Sequence, residues 1–311
     1  MSGPVEATEA PVQPDCGVAG PPTVDVSEAR ATQVGGSPVR RALPQRTRRT
    51  VGPWCLADHF GPLDVSREQA FEIGPHPHMG LATATWLHAG RLVHRDSLGS
   101  EQPLRPGELN LMTSGFGISH SEQSAGEYAG RVEGFQLWLA LPDATRNGGS
   151  RFAHHGDLPV LDLDGAEATV LVGAFGTATS PAVVDWPTAG ADIAMDVGDA
   201  DLPLDPSWEY AIVVASGAVA IGDVVLSPGA LGYLGAGRDE VRVSANEPCR
   251  LMLLGGQPFE SRIVMWWNFV ARTTDELEAA YRAWHADDER FGTVASELAR
   301  IPAPPPYWTR T

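Results

Sequence analysis

The sequence predicts an all-β protein made of two related β units, with one short helix near the C-terminus. Three observations carry that prediction. Short apolar runs are broken repeatedly by turn residues, a strand–Gly–strand–Pro-Gly–strand order occurs twice, and a helical period shows only after residue 273. Composition agrees: 34 of 311 residues are Gly and 26 are Pro, which favours turns and short strands, while a 43% hydrophobic share suffices for a sizeable core. The net charge of −17 argues against broad attraction to phosphate backbones.

Residues 1–29 hold Glu6, Glu9, Asp15, Asp25 and Glu28 with no basic residue, among many Pro, Ala and Gly. Such a stretch buries too little apolar surface to offset its ordering entropy, so a disordered tail is expected there. Arg30, Arg40, Arg41, Arg46, Arg48 and Arg49 follow, and in so acidic a chain they are expected to pair with carboxylates rather than bind nucleic acid. The first β unit is read over 30–145. Within it, 81–87 (LATATWL) reads as a strand ending at Gly90, 91–94 and 108–113 as the next strands, and 134–141 (GFQLWLAL) as the last. The second unit, 146–311, repeats the order more faintly at 208–217 and 227–234. Thr273 with Glu276 forms a capping box, and Leu277, Ala280, Tyr281 and Trp284 share one face, which predicts a helix over 274–287 packed on the β body. Cys16, Cys55 and Cys249 lack CxxC spacing and suit a reducing compartment. The start of the chain has no basic, apolar leader, and its most apolar run (211–221) is shorter than the ~20 residues of a span. A soluble, cytoplasmic protein with no membrane contact is expected.

The chemistry gathers in two short motifs. In GPHPHMG, His76 and His78 stand at i and i+2, which on a strand puts both on one face, and Pro75 and Pro77 hold that backbone extended. In SGFGISHSE, His120 and Glu122 have the same spacing. If both strands line one barrel, three histidines and a carboxylate meet. That set suits a first-row metal such as Fe(II), Mn, Ni or Cu better than Mg or Ca. Histidine pairs also serve as ordinary hydrogen-bonding residues, but two such pairs beside glycines in a β chain favour a metal. Among the other histidines, His94 can face the pocket behind the ligands, while His59 reads as a turn residue and His154, His155 and His285 as lying outside this barrel. Trp86, Phe116, Gln136 and Trp138 are candidates for the cavity wall, with core packing the default use of the aromatic ones.

These strings, together with GRLVHRDSLG, LRPGELNLMTSGFGISHSE, VRRALP…VGPWCLADHFGP and IVMWWNFVARTTDELEAAYRAW, resemble the pirin family of the cupin superfamily from about residue 30 to about 292. The resemblance implies two tandem cupin jelly-roll barrels. It also implies one iron held in the first by His76, His78, His120 and Glu122. Many pirins carry a glutamate where this chain has Ala82. The second barrel has no histidine between Gly156 and Asn246, with Pro203 and Asp205 at the positions matching His76 and His78, so no metal is expected there. The resemblance further implies oxidative ring cleavage of flavonols such as quercetin with O2 and release of carbon monoxide, Glu122 acting as the catalytic base. The alternative it carries is an iron-dependent redox sensor that regulates a protein partner. A monomer is the expected state.

Overall fold

The computed structural model describes residues 23–66, 69–126 and 128–309. The chain is all-β, as the pattern predicts, with one α-helix among the described residues, Thr274–His285. Each β unit is a large sheet facing a small one. In the first, the large sheet runs, in spatial order, Arg151–His155, Leu109–Thr113, Leu81–Ala89, Gly130–Ala140, Trp54–Val65, Ser37–Leu43 and Arg30–Val34. The small sheet opposite it runs Glu72–His78, Ile118–Ser124, Leu92–Asp96 and Glu101–Leu104. The second unit repeats this plan, with Glu209–Ser216 and Ala230–Gly235 neighbours in its large sheet.

Of the segment expected to be a tail, residues 1–22 lie outside the described residues, and Cys16 with them. Asp25–Glu28 is instead a strand, pairing antiparallel with Ala230–Gly235 at the edge of the second large sheet. Its backbone partners come from a distant part of the chain, which local composition does not report. Arg151–His155 likewise follows the first unit's last predicted strand yet completes the first large sheet, so His154 and His155 are part of the motif barrel rather than outside it. His154 Nδ1 lies 2.9 Å from Asn110 Oδ1 on the neighbouring strand.

The two large sheets pack face to face. Leu81–Ala89 is buried on both sides: Ala82, Ala84 and Trp86 meet Leu171, Val213 and Met252 of the second unit, while alternate residues face the first barrel's interior. That double burial explains why LATATWL shows no apolar–polar alternation. Ala82, where many pirins carry a glutamate, therefore faces the apolar seam between the barrels rather than the cavity. Polar ties cross the seam. Trp54 Nε1 donates to the carbonyls of Ala189 and Gly255, both at 3.0 Å, and Trp86 Nε1 donates to Asp192 at 2.8 Å. Burial alone would raise the Asp192 pKa, but hydrogen bonds from His88 and Arg250 outweigh it and hold the carboxyl at about 2. The second barrel's interior is filled with Ile193, Ile212, Val214, Val243, Leu251 and other apolar side chains.

After the second barrel the chain returns to the first. Val270 N–H donates to the Met79 carbonyl at 2.9 Å, carrying the ribbon of Val264–Trp266 and Phe269–Ala271 onto the end of the histidine strand. The helix ends at His285, two residues short of the prediction, where Ala286 caps it and Asp287 turns left-handed (φ 54°). Thr273 caps its start by accepting from Glu276 N–H, and Glu276 accepts from Arg272 N–H at 2.8 Å. Leu277, Ala280 and Trp284 are its buried stripe. Beyond it, Ser119 Oγ donates to the Phe291 carbonyl at 2.8 Å, and Ile301 N–H donates to the Pro75 carbonyl at 2.8 Å, so this strap lies against both metal-motif strands. Ser119→Ala should loosen it by about 1 kcal/mol, the usual worth of one such bond. Amide exchange over residues 288–301 measures the change, and exchange identical to the parent would contradict it.

No helix among the described residues is long and apolar enough to cross a membrane.

Candidate metal centre

Glu72–His78 is an edge strand, which is why it tolerates Pro75 and Pro77 without breaking a ladder on both sides. His120 sits directly opposite His76 in the register, and the next strand places Asp96 opposite His120 and His94 opposite Glu122. His76, His78, His94, His120 and Glu122 are all buried. The ligating atoms of His76, His78 and His120 lie within 4.8 Å of one another, as do those of His94, His120 and Glu122, with His120 common to both groups.

Hydrogen bonds decide which nitrogens are free. His76 Nδ1 is 2.9 Å from the Gly74 carbonyl, so it carries the proton and Nε2 is a bare lone pair. His94 Nε2 donates to Asp96 Oδ2 at 3.0 Å. Burial pushes the Asp96 pKa up, yet the His94 bond and the Ser100 amide bring it below its ordinary value, so the carboxylate is ionised and fixes that tautomer. His94 Nδ1 is then the acceptor for His120 Nδ1–H at 3.3 Å, which leaves His120 Nε2 bare as well. The Asp96–His94–His120 chain therefore aims a lone pair at the centre, in the way outer partners orient ligating histidines. Phe152 stacks on His94 at 4.4 Å and holds its ring from behind.

His78 Nε2 lies 3.0 Å from His120 Nε2, and its Nδ1 leans towards the Asn268 backbone without a well-formed bond. Two nitrogens that each ligate one cation at about 2.1 Å, at right angles, stand ~3.0 Å apart. The donor set thus fits a first-row cation. Burial also drives these imidazoles to their neutral, ligating form, bringing His76 down to about 4 and His78 and His120 well below their ordinary value. Glu122 moves the other way, since its burial raises the carboxyl pKa. Its Oε1 accepts from Thr85 Oγ1 at 3.0 Å, and Gln136 Oε1 is 2.9 Å from the same hydroxyl. One hydroxyl proton cannot serve both oxygens, so the Gln136 amide is better turned to donate from its nitrogen into Thr85.

The histidines and Glu122 open on a cavity of about 850 Å³ of unfilled space, counting its mouth. Leu56, Phe60, Phe71, Ile73, Trp138 and Ile301 supply most of its apolar wall, and Trp138 meets His78 edge-on at 5.1 Å. Gln136 and Trp138 are therefore at the cavity, whereas Trp86 is in the seam. Phe116 is not at the cavity. It is 48% exposed on the turn from Leu109–Thr113 into the second motif strand, flanked by Gly115 and Gly117, with the Arg290 guanidinium 3.8 Å over its ring. His59 is not at a turn either: it lies mid-strand, 1% exposed, stacked on Phe135 at 4.7 Å. With His88 and Glu133 it forms a further group of closely spaced ligand-type atoms. Arg40, always a donor, occupies His59 Nδ1 at 2.8 Å, so Nε2 must carry the proton and faces Glu133 rather than a cation. That group is a neutral imidazole beside a carboxylate already paired with Arg131, not a metal site. Sequence reasoning missed Thr85, Asp96 and Phe152. Thr85 alone carried a signal, as a polar residue in a doubly buried strand.

Two family models match the chain, Pirin over residues 36–139 and the Pirin C-terminal cupin domain over 191–292. The chain belongs to the pirin family. This pirin is 42% identical over 283 residues to a Pseudomonas aeruginosa protein named "Putative quercetin 2,3-dioxygenase", with 90% of each chain covered. It is 36% identical over 270 residues to a pirin-like protein of Caulobacter vibrioides, covering 84% of this chain and 92% of the relative. The crystal structure of a quercetin 2,3-dioxygenase from Acinetobacter baumannii superposes on it with a TM-score of 0.87 at 40% identity, covering 90% of this pirin and 95% of that chain.

Proposed function

We propose that this pirin is a metal-dependent dioxygenase that opens the central ring of flavonols with O2 and releases carbon monoxide. In this reading His76, His78, His120 and Glu122 hold one divalent first-row metal, with Fe(II) first and Mn, Ni or Cu as substitutes. The observation that carries it is the meeting of three buried, neutral imidazoles at the end of an apolar cavity, with the buried Glu122 carboxylate beside His120. The names borne by its relatives at 42% and 40% identity support the choice of substrate.

When bound, the metal supplies Lewis acidity towards a substrate hydroxyl and a redox-active centre for O2. The chain's own residues do the rest. Glu122, its proton affinity raised by burial, takes the proton of the flavonol 3-hydroxyl at a carboxylate oxygen, and Thr85 keeps that carboxylate in place. Trp138 and Phe60 offer flat apolar faces to the ring system, and the apolar wall keeps water from the flavonolate. Aerobic incubation of the Fe(II)-loaded protein with quercetin should bleach its visible absorbance with release of carbon monoxide. No turnover with any first-row metal would overturn the reading.

Thr85→Val keeps shape but removes the hydroxyl that steadies Glu122. Metal affinity, read by competition with a chelator, should fall about 10–100-fold, as it does when an outer partner of a ligand is lost. An unchanged affinity would place Glu122 outside the ligand set.

A further inference from the structure

Arg41 lines the same cavity as the metal motifs although it is only 2% exposed. It stands directly across from Asp58, with Nε donating to Oδ1 at 2.7 Å and Nη2 to Oδ2 at 2.5 Å. That bidentate pair uses one edge of the guanidinium. Nη1 has no acceptor among the described residues. A buried donor left unmet costs about 1–3 kcal/mol, more when charged, so the arrangement is expensive unless something fills it.

The register gives the position meaning. Arg41 faces Asp58, Asp58 faces Gln136, and Gln136 faces Thr85, on four adjacent strands of the large sheet. All four line the cavity, and Thr85 ends the row by touching Glu122. One polar row thus crosses an otherwise apolar wall, from the carboxylate of the metal motif to a guanidinium three strand spacings away, ~14 Å between backbones. Val39 and Phe60 beside Arg41, and Leu56 beside Asp58, leave no other charged side chain of the wall at that end.

We propose that Arg41 Nη1 binds an acidic oxygen, a carboxylate or an ionised phenol, at the end of a flat aromatic ligand remote from the histidines. Asp58 is the positioning residue. It locks the fork so that only Nη1 faces the ligand, and it cancels the Arg41 charge so that the aromatic body still enters an apolar space. The inference rests on the metal-centred reading only for which end of the ligand faces the histidines.

The test uses the metal-loaded full chain and two probes, 3-hydroxyflavone and its 4′-carboxylate, with binding read from quenching of tryptophan fluorescence. The parent should bind the carboxylate about 10-fold or more tightly, as befits one charge-assisted hydrogen bond in a buried site. Arg41→Met/Asp58→Leu replaces the ion pair by apolar groups and should level the two affinities. Arg41→Lys, which keeps the charge, should also lose most of the preference and covers the case in which the double variant does not fold. A parent without preference, binding of neither probe, or a preference that survives both variants would overturn the proposal, the first meaning that an internal water meets Nη1 and the last that another group holds the carboxylate. Ring cleavage of quercetin is a separate readout, so a preserved preference without turnover would fell the dioxygenase reading and leave Arg41 standing.

Discussion

His120→Ala should purify with about zero first-row metal per chain where the parent carries about one, and it should have no quercetin activity. His120 is the member shared by both groups of closely spaced ligating atoms, facing His78 across 3.0 Å and standing beside Glu122, so no remaining trio includes His76, His78 and the carboxylate together. The backbone has little reason to follow. His120 pairs by main-chain bonds with strands on both sides, and the sheets are held by apolar clusters that do not include it. Circular dichroism should therefore keep its β signature while elemental analysis shows the loss. His94→Phe makes the contrast, because it removes only the group that sets the His120 tautomer: affinity should drop about 10–100-fold with one site remaining. Full metal occupancy in His120→Ala after dialysis would refute the assignment of the centre.

Much of this was legible in the residues, and the limits were physical. The i, i+2 pairs put their side chains on one face of each strand because strand geometry alternates regardless of context, so His76, His78, His120 and Glu122 could be named as candidates before any fold was known. Spacing does not say which strands become neighbours. The Asp96–His94–His120 chain depends on Leu92–Asp96 pairing with Ile118–Ser124, and the Phe152 contact on a strand that reaches back from beyond residue 150. Asp25–Glu28 failed as a predicted tail for the same reason, its partners being about two hundred residues away. Arg41 shows a third kind of limit. In sequence it is one of six clustered arginines, and only the pleat separates it from Arg40, which faces outward to His59. Phe116 erred in the opposite direction: it stands two residues before the second motif strand, but flanking glycines make it the tip of the turn that enters that strand.

Metal-free protein should lose stability steeply as pH falls from about 6.5 to about 4. His76 is pushed from 6.5 down to about 4 by burial, His59 to about 3 by burial and the adjacent Arg40, and His78 and His120 well below their ordinary value. Between those values an unfolded chain binds protons that the folded chain refuses, so unfolding takes up protons and acid favours it. The stabilisation is fully present above 6.5 and lost as pH falls through the folded values. From His76 alone the loss is on the order of 3 kcal/mol at one pH unit per 1.36 kcal/mol, a large share of a total that is usually 5–15. Glu122 opposes the trend, since its raised pKa makes the folded state the better proton acceptor at that carboxyl, but it is one group against four. Metal loading should shift the fall to lower pH, because a cation on the same lone pairs adds its binding free energy to the folded state only. Urea unfolding of chelator-treated and reloaded protein at pH 7, 6, 5 and 4 gives both curves. A flat metal-free curve across that range would mean that the imidazoles are not held neutral by burial, and the physical basis for a waiting ligand set would go with it.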